Sequence, residues 1–243
     1  MEVYLNRIDG WDDAIISMFL SKRTLTRELE MEIRREVAVC INTNPENGPI
    51  GSLREPTEKL KVWLQKLFKW APMHITMGRF LDFSFTVYGL HRAGQDDLDS
   101  HAKRMENRII RSSTRLADYS HGEMSDYYNG KILPTDTALA VLGITTPDEI
   151  EYDGHTYVRG VNGYILKGME NNKDVKRGLY MLSIPSNFIF KINFTEYAHV
   201  FKERNQKSGA NPEVKDCTEC MTDQLETESI GFINRDLLTS VKN

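Results

Sequence analysis

Cysteine is scarce in this chain: Cys40, Cys217 and Cys220 are the three among 243 residues. An odd, sparse set provides no disulfide framework and fits a reducing compartment. Long apolar runs are missing as well. None approaches the roughly 20 residues that cross a bilayer, so a membrane-spanning helix is not expected. Met1 to Gly10 lacks a basic stretch followed by an apolar one, which argues against a signal peptide and makes the cytoplasm the expected location. Nor is there an excess of one charge sign. With 31 Lys and Arg against 35 Asp and Glu, the net charge is -4, so the surface as a whole is not built for a polyanion and no nucleic-acid partner is expected.

What remains is an ordinary globular balance, 40% hydrophobic and 27% charged, which argues for a sizeable core and against disorder. No internal repeat and no convincing linker interrupts the chain, so residues 1–243 are expected to form a single domain.

The local patterns predict a series of elements. Trp11 to Leu20 reads as a short apolar helix with Asp12 or Asp13 as a cap. Thr24 to Cys40 carries Leu29, Ile33 and Val37 at helical spacing and reads as a surface helix. Residues 41–56 are rich in Asn, Pro and Gly and read as a loop. The clearest helix follows: Thr57 caps it, and Leu60, Trp63, Leu64, Leu67 and Phe68 form one apolar face. Phe83, Phe85 and Val87 alternate with Ser84, Thr86 and Tyr88, the period of a half-buried strand. Residues 92–107 read as a helix with Leu98, Ala102 and Met105 on one face.

Further on, residues 151–158 are a hairpin signal because Asp153-Gly154 suits a tight primed turn. Asp174 to Ser183 reads as a helix ending before Pro185, and Phe188 to Ile192 as a short strand. Phe194 to Arg204 and Pro212 to Leu225 read as helices joined by a turn at Asn205 to Asn211. The last dozen residues read as a frayed or docking tail.

Four places carry possible chemistry. Cys217 and Cys220 have the C-x-x-C spacing of a redox pair or half a zinc site. However, no second pair or His pair completes four ligands, and positions three apart on a helix simply share a face; no metal is expected. Residues 101–115 hold five basic side chains, Lys103, Arg104, Arg108, Arg111 and Arg115, beside Ser112, Ser113 and Thr114, with Glu106 the sole carboxylate. Arginine forks and short hydroxyls suit phosphate oxygens, although a basic surface has the same composition. His74 and Thr76 sit between the long helix and the strand. Arg204, Lys207 and Lys215 surround a Gly-containing turn at a helix start, a place where free backbone N–H groups can meet phosphate.

Taken together, these segments resemble the signature regions of the flavin-dependent thymidylate synthases. His74 and Thr76 followed by Phe83-Ser84-Phe85 resemble that family's His-x-Thr element before an F-x-F strand. Arg92-Ala93, Ser100-His101-Ala102 and Ser113-Thr114-Arg115 resemble its central helix and loop. Arg204 and Ala210-Asn211-Pro212-Glu213-Val214-Lys215 resemble its C-terminal region. The order and rough spacing hold over about residues 60–225. Ser100 and Ala102 stand where the family has arginines, Leu116 where it has tyrosine, Lys215 where it has arginine and Asp97 where it has glutamine. The hairpin at residues 151–158 resembles an insertion.

The resemblance implies an α+β fold, with a mixed or antiparallel sheet flanked by helices, assembled as a homotetramer. It implies methylation of dUMP to dTMP with FAD as cofactor, NADPH as reductant and methylenetetrahydrofolate as carbon donor. On it, His74, Thr76, His101, Arg204 and Asn211 lie at FAD, with Arg104 or Arg108 replacing a missing charge. Asp97, Ser113, Thr114, Arg115 and Lys215 hold the nucleotide, and Lys215 activates its ring. A relative acting on another pyrimidine nucleotide, or a non-catalytic binding relative without FAD, stays open beside it.

Overall fold

The computed structural model describes residues 1–101, 107–113, 124–172, 175–176, 178–207 and 209–241. In chain order the N-terminal elements are β1 (Glu2–Asp9), α1 (Trp11–Ser21), α2 (Arg27–Cys40), α3 (Glu58–Trp70) and α4 (Ile75–Gly78). Next come β2 (Asp82–His91), α5 (Arg92–His101), β3 (Asn107–Arg111) and α6 (Thr135–Val141). A small group of strands follows, β4 (Glu149–Tyr152), β5 (His155–Gly160) and β6 (Gly163–Leu166). The chain ends with β7 (Pro185–Asn193), α7 (Phe194–Asn205), α8 (Pro212–Glu228) and α9 (Arg235–Ser240). The fold is α+β. A four-stranded sheet has the order β1-β2-β7-β3, and a three-stranded sheet the order β4-β5-β6.

The chain divides into two units. The larger comprises residues 2–87, 94–110 and 188–243, and its core is where the alternating patterns predict. Phe83, Phe85 and Val87 of β2 are wholly buried, as are Phe190 and Ile192 of β7, while Lys191 between them faces out. Each such side chain stabilises by about 1.5–3 kcal/mol relative to exposure. Against β2 lies α7: the Tyr197 ring meets Phe83 edge-on at 5.8 Å and stacks on Phe85 at 5.9 Å. The predicted face of α3 is buried residue for residue, from Leu60 to Phe68, and Thr57 accepts the Leu60 N–H at 3.1 Å as its cap.

β1 was not anticipated, because its buried Leu5 and Ile8 lie three apart rather than alternating. Tertiary partners hold it instead. The Gln224 amide of α8 accepts the Leu5 N–H at 2.5 Å and donates to the Val3 carbonyl at 2.7 Å, so a side chain does for this terminal strand what a neighbouring strand would do. Farther along, the Ile8 N–H donates to Ile50 O at 2.8 Å. Gly51 (φ 77) lies so close to the Ile8 carbonyl that a Cβ would stand 1.8 Å from its oxygen, and Trp11 Nε1 donates to Gly51 O at 2.7 Å. Only glycine fits there.

Several local expectations need correction. Neither Asp12 nor Asp13 caps α1; Gly10, in left-handed geometry, precedes it, and both carboxylates instead receive Arg34 of α2 at 2.5 and 3.1 Å. α2 starts at Arg27, since Thr26 accepts the Leu29 N–H and so defines the end. The helix expected over 92–107 stops at His101 within the described residues, and β3 begins at Asn107; Leu98 is buried, while Ala102 and Met105 lie outside the described residues. The C-terminal tail docks. In α9, Arg235 reaches Glu219, Asp223 and Glu226 of α8, and Leu238 is fully buried.

The smaller unit comprises residues 88–93 and 111–187 with Met1. The predicted hairpin is present: Glu149↔Val158 through Tyr152↔His155 pair antiparallel, and Asp153 (φ 49) and Gly154 (φ 75) make the turn. β5 continues antiparallel into β6. The helix expected over 174–183 is a misreading. Of its described part only 175–176 is helical, and turns lead from 178 into β7, which Pro185 opens rather than follows. The reason is tertiary, because Leu179 packs onto Gly160 and Gly163.

Candidate functional site

α7 begins with Asn193, whose side chain accepts the Glu196 N–H at 2.9 Å, and its apolar face alternates with polar residues that reach three neighbouring segments. At its first turn, Thr195 Oγ1 donates to the Ile75 carbonyl at 2.8 Å. That bond ties α7 to α4, which carries Thr76 and follows directly on His74. Gly78 of α4 meets Phe194 and Thr195 so closely that a Cβ would stand 2.6 Å from each.

At the last turn, Arg204 is buried, 5% exposed, and closes on α5. Nη1 lies 3.1 Å from Asp97 Oδ2, and Nη2 donates to the Asp97 carbonyl at 2.5 Å. Nε of Arg204 is buried with no hydrogen-bond partner among the described residues. Asn205 then donates to Thr218 Oγ1 of α8 at 2.9 Å, and Tyr197 OH donates to Thr218 O at 3.0 Å and bonds Thr222 Oγ1 at 2.8 Å. From Thr195 to Arg204 the helix rises about 13 Å. Three segments far apart in sequence are therefore anchored along one helix.

Burial governs the protonation of this junction. Tyr197 is pushed far above the ordinary tyrosine value by desolvation, as is the Cys217 thiol on the same side of α8. Both remain neutral and serve as packing and hydrogen-bonding groups. Cys220 is exposed, and partial burial followed by the charges of Asp223, Asp216 and Glu219 raises its thiol as well. The C-x-x-C pair is thus one buried and one exposed thiol, neither poised as a thiolate. Among the described residues no group of three or more His, Cys, Asp or Glu side chains could hold a metal ion.

The remaining candidates are distributed as follows. His74 is exposed and stacks on Trp70 with ring centres 5.4 Å apart, and Lys22 Nζ lies 4.1 Å from the centre of the same indole. Thr76 is exposed. Asn211 caps α8 by accepting the Glu213 N–H at 2.9 Å. One turn on, Lys215 is exposed, and its carbonyl accepts the Thr218 hydroxyl at 2.9 Å. Ser113 belongs to the smaller unit and is exposed. His101 closes α5, with its side chain outside the described residues, as are Arg104, Thr114 and Arg115 entirely. The side chain of Arg108 is likewise outside them.

The larger unit therefore brings together His74, Thr76, Asp97, Arg204, Asn211 and Lys215 around α7 and the segments it anchors. Asp97 and Arg204, read from sequence as separate ligand contacts, are partners of each other. Sequence reading missed Thr195, Asn205, Thr218 and Tyr197, whose only signal is a polar side chain at a helical position, buried in all but the half-buried Asn205. Trp70 and Lys22 had no signal beyond residue type.

No protein-family model and no curated protein matches the chain. Solved structures do. It is similar over 98% of its length to a flavin-dependent thymidylate synthase of Helicobacter pylori complexed with FAD and dUMP, all of which it covers, at 14% identity and a TM-score of 0.57. A second structure of thymidylate synthase X from Helicobacter pylori, with FAD and dUMP, matches at 12% identity over the same shares with a TM-score of 0.55. A UMP/dUMP methylase from Streptomyces cacaoi, bound with 5-Br dUMP, matches at 10% identity and a TM-score of 0.52, over 98% of this chain and 94% of that one. The fold is that of the flavin-dependent thymidylate synthases. Among the described residues no helix is long and apolar enough to cross a membrane.

Proposed function

We propose that this chain is a flavin-dependent enzyme acting at C5 of a pyrimidine nucleotide, converting dUMP to dTMP with FAD, NADPH and methylenetetrahydrofolate. The observation that carries the reading is the gathering of the three signature segments along α7, through Thr195–Ile75, Arg204–Asp97 and Asn205–Thr218. The whole-length likeness to proteins solved with FAD and dUMP supports it.

The residues present fit a flavin. His74 and Thr76 are exposed at α4, and the buried Nε of Arg204 is a donor still to be matched. In this reading His74 and Thr76 bind the cofactor, joined by His101, Asn211 and Arg104. Arg204, clamped by Asp97, holds α5 and α7 in register and contributes its remaining donor. When bound, FAD supplies hydride-transfer chemistry that no side chain offers. Ser113, Thr114 and Arg115 hold the nucleotide phosphate, since hydroxyls and an arginine fork suit its oxygens. Lys215, exposed on the first turn of α8, sets its ammonium against a pyrimidine carbonyl and polarises the ring toward reaction at C5. The reading also places the chain in the cytoplasm as a homotetramer.

The likeness to a methylase of UMP and dUMP favours a second substrate within the same chemistry, a uridine nucleotide other than dUMP. One experiment tests both. Purified protein is titrated with FAD and then with dUMP or UMP while its absorption spectrum is recorded. A bound-flavin spectrum perturbed by one nucleotide is expected. Absence of flavin binding at saturation sinks the proposal, and perturbation by UMP alone moves it to the second substrate. Lys215→Ala is expected to keep the flavin spectrum and lose product formation by at least tenfold, as mass spectrometry of the nucleotide reads.

A further inference from the structure

The smaller unit contains a cavity of about 510 Å³ lined by residues of α6, β5, β6 and the 170–180 segment. None of the signature segments contributes to it. Its apolar floor is built on two glycines. Leu179 seats over Gly160 and Gly163, where a Cβ would stand 2.9 and 3.0 Å from its methyl carbons. Val158 and Ile165, cross-strand partners in the β5–β6 ladder, complete that floor.

Four charges stand around it, two of each sign. Arg159 Nη2 lies 3.5 Å from Asp136 Oδ2, a long contact between half-exposed groups. Glu170 accepts the Gly168 N–H with both oxygens at 2.9 Å, and that bond holds its carboxyl below the usual carboxylate range. Lys176 lines the cavity without a carboxylate partner among the described residues.

The arrangement discriminates between ligand classes. A phosphate would meet Lys176 and Arg159 but also face two carboxylates, and a cation would meet the reverse. A neutral apolar molecule would strip water from four charges with nothing in exchange. A molecule carrying one ammonium and one carboxylate on an apolar body satisfies all of them, and the volume falls in the range of small-molecule sites, about 300–1,000 Å³. We propose that this cavity binds a zwitterion of the amino-acid class, with Glu170 and Asp136 facing its ammonium, Lys176 and Arg159 its carboxylate, and the Val158–Ile165–Leu179 floor its apolar side chain. The free amino acid and the short peptide share this chemistry.

The test is calorimetric titration of the full chain with L-phenylalanine and with the dipeptide Leu-Leu. Their N-acetylated and amidated forms, each lacking one charge, serve as comparators beside inorganic phosphate. At least one zwitterion is expected to bind, with both single-charge derivatives at least tenfold weaker. The better of the two zwitterions identifies the size of the ligand. Lys176→Gln and Glu170→Gln, exposed enough to leave the circular dichroism spectrum unchanged, are each expected to weaken it about tenfold. Three results overturn the proposal: neither zwitterion binds at millimolar concentration, phosphate binds as tightly as they do, or binding survives both substitutions. Because the readout is binding without FAD or pyrimidine nucleotide, it is independent of the function proposed above.

Discussion

Arg204 shows how a single residue changes meaning between sequence and structure. As a lone arginine before a turn it reads as a ligand contact; in place it is a buried cation whose two terminal nitrogens are committed to Asp97. Removing one partner of such a pair strands the other charge, at about 3–5 kcal/mol when both are fully buried. The Asp97 side chain is 36% exposed, so water moderates the loss. Asp97→Asn is therefore expected to lower the unfolding free energy by about 2 kcal/mol, read as a shifted urea midpoint with an unchanged slope. Wild-type stability in this variant would mean that the pair contributes nothing and that Arg204 is free for a ligand. Asp97 was legible as a departure from the family pattern, but its partner, 107 residues away, was not, because no local signal encodes a contact at that separation.

At the scale of elements, the segments whose own pattern specifies burial were legible, and those held by others were not. α3 and β2 declare themselves by spacing, and helices were also read at α7 and α8, whose Asn193 and Asn211 caps the structure added. β1 pairs with β2 on one edge, and the Gln224 clasp covers its other edge. Gln224→Ala removes two bonds to a strand at the end of the sheet, each with a net contribution of about 0.5–1.5 kcal/mol. The expected outcome is a loss of about 2 kcal/mol, together with faster hydrogen exchange at the Leu5 amide. Unchanged protection at Leu5 would show that the strand needs no such support. Conversely, the 178–184 segment fails as a helix because Leu179 is drawn onto the glycines of β5 and β6, a contact that outweighs the few tenths of a kcal/mol per residue of helix propensity.

For the whole molecule, the two buried acids of the α7–α8 junction set an alkaline limit. Tyr197 and Cys217 have ordinary values of 10.0 and 9.0, and burial raises both in the folded state. Above those values the unfolded chain releases protons that the folded chain keeps, so stability is full below about pH 9 and falls as pH rises beyond it. The slope approaches about 1.4 kcal/mol per pH unit for each group. Urea midpoints at pH 8, 9.5 and 10.5 should decline in the native chain. Tyr197→Phe, though less stable at pH 8, should decline less steeply. An equal slope in both proteins would remove Tyr197 as a cause.

The class of the protein, α+β with three signature segments in order, was implied by the family resemblance. What the sequence by itself determined was a chain without long apolar runs, with its main core strand, its long helix and its hairpin written in local spacing. These are properties of period and composition, which act between neighbours and need no partner. The tertiary structure decided which of the gathered residues face outward and which are spent on each other. It put His74, Thr76 and Lys215 at the surface, closed Arg204 on Asp97, and opened a charged cavity over Gly160 and Gly163. Those outcomes depend on contacts between segments remote in sequence, whose free energy is realised only when the intervening chain has already folded around them.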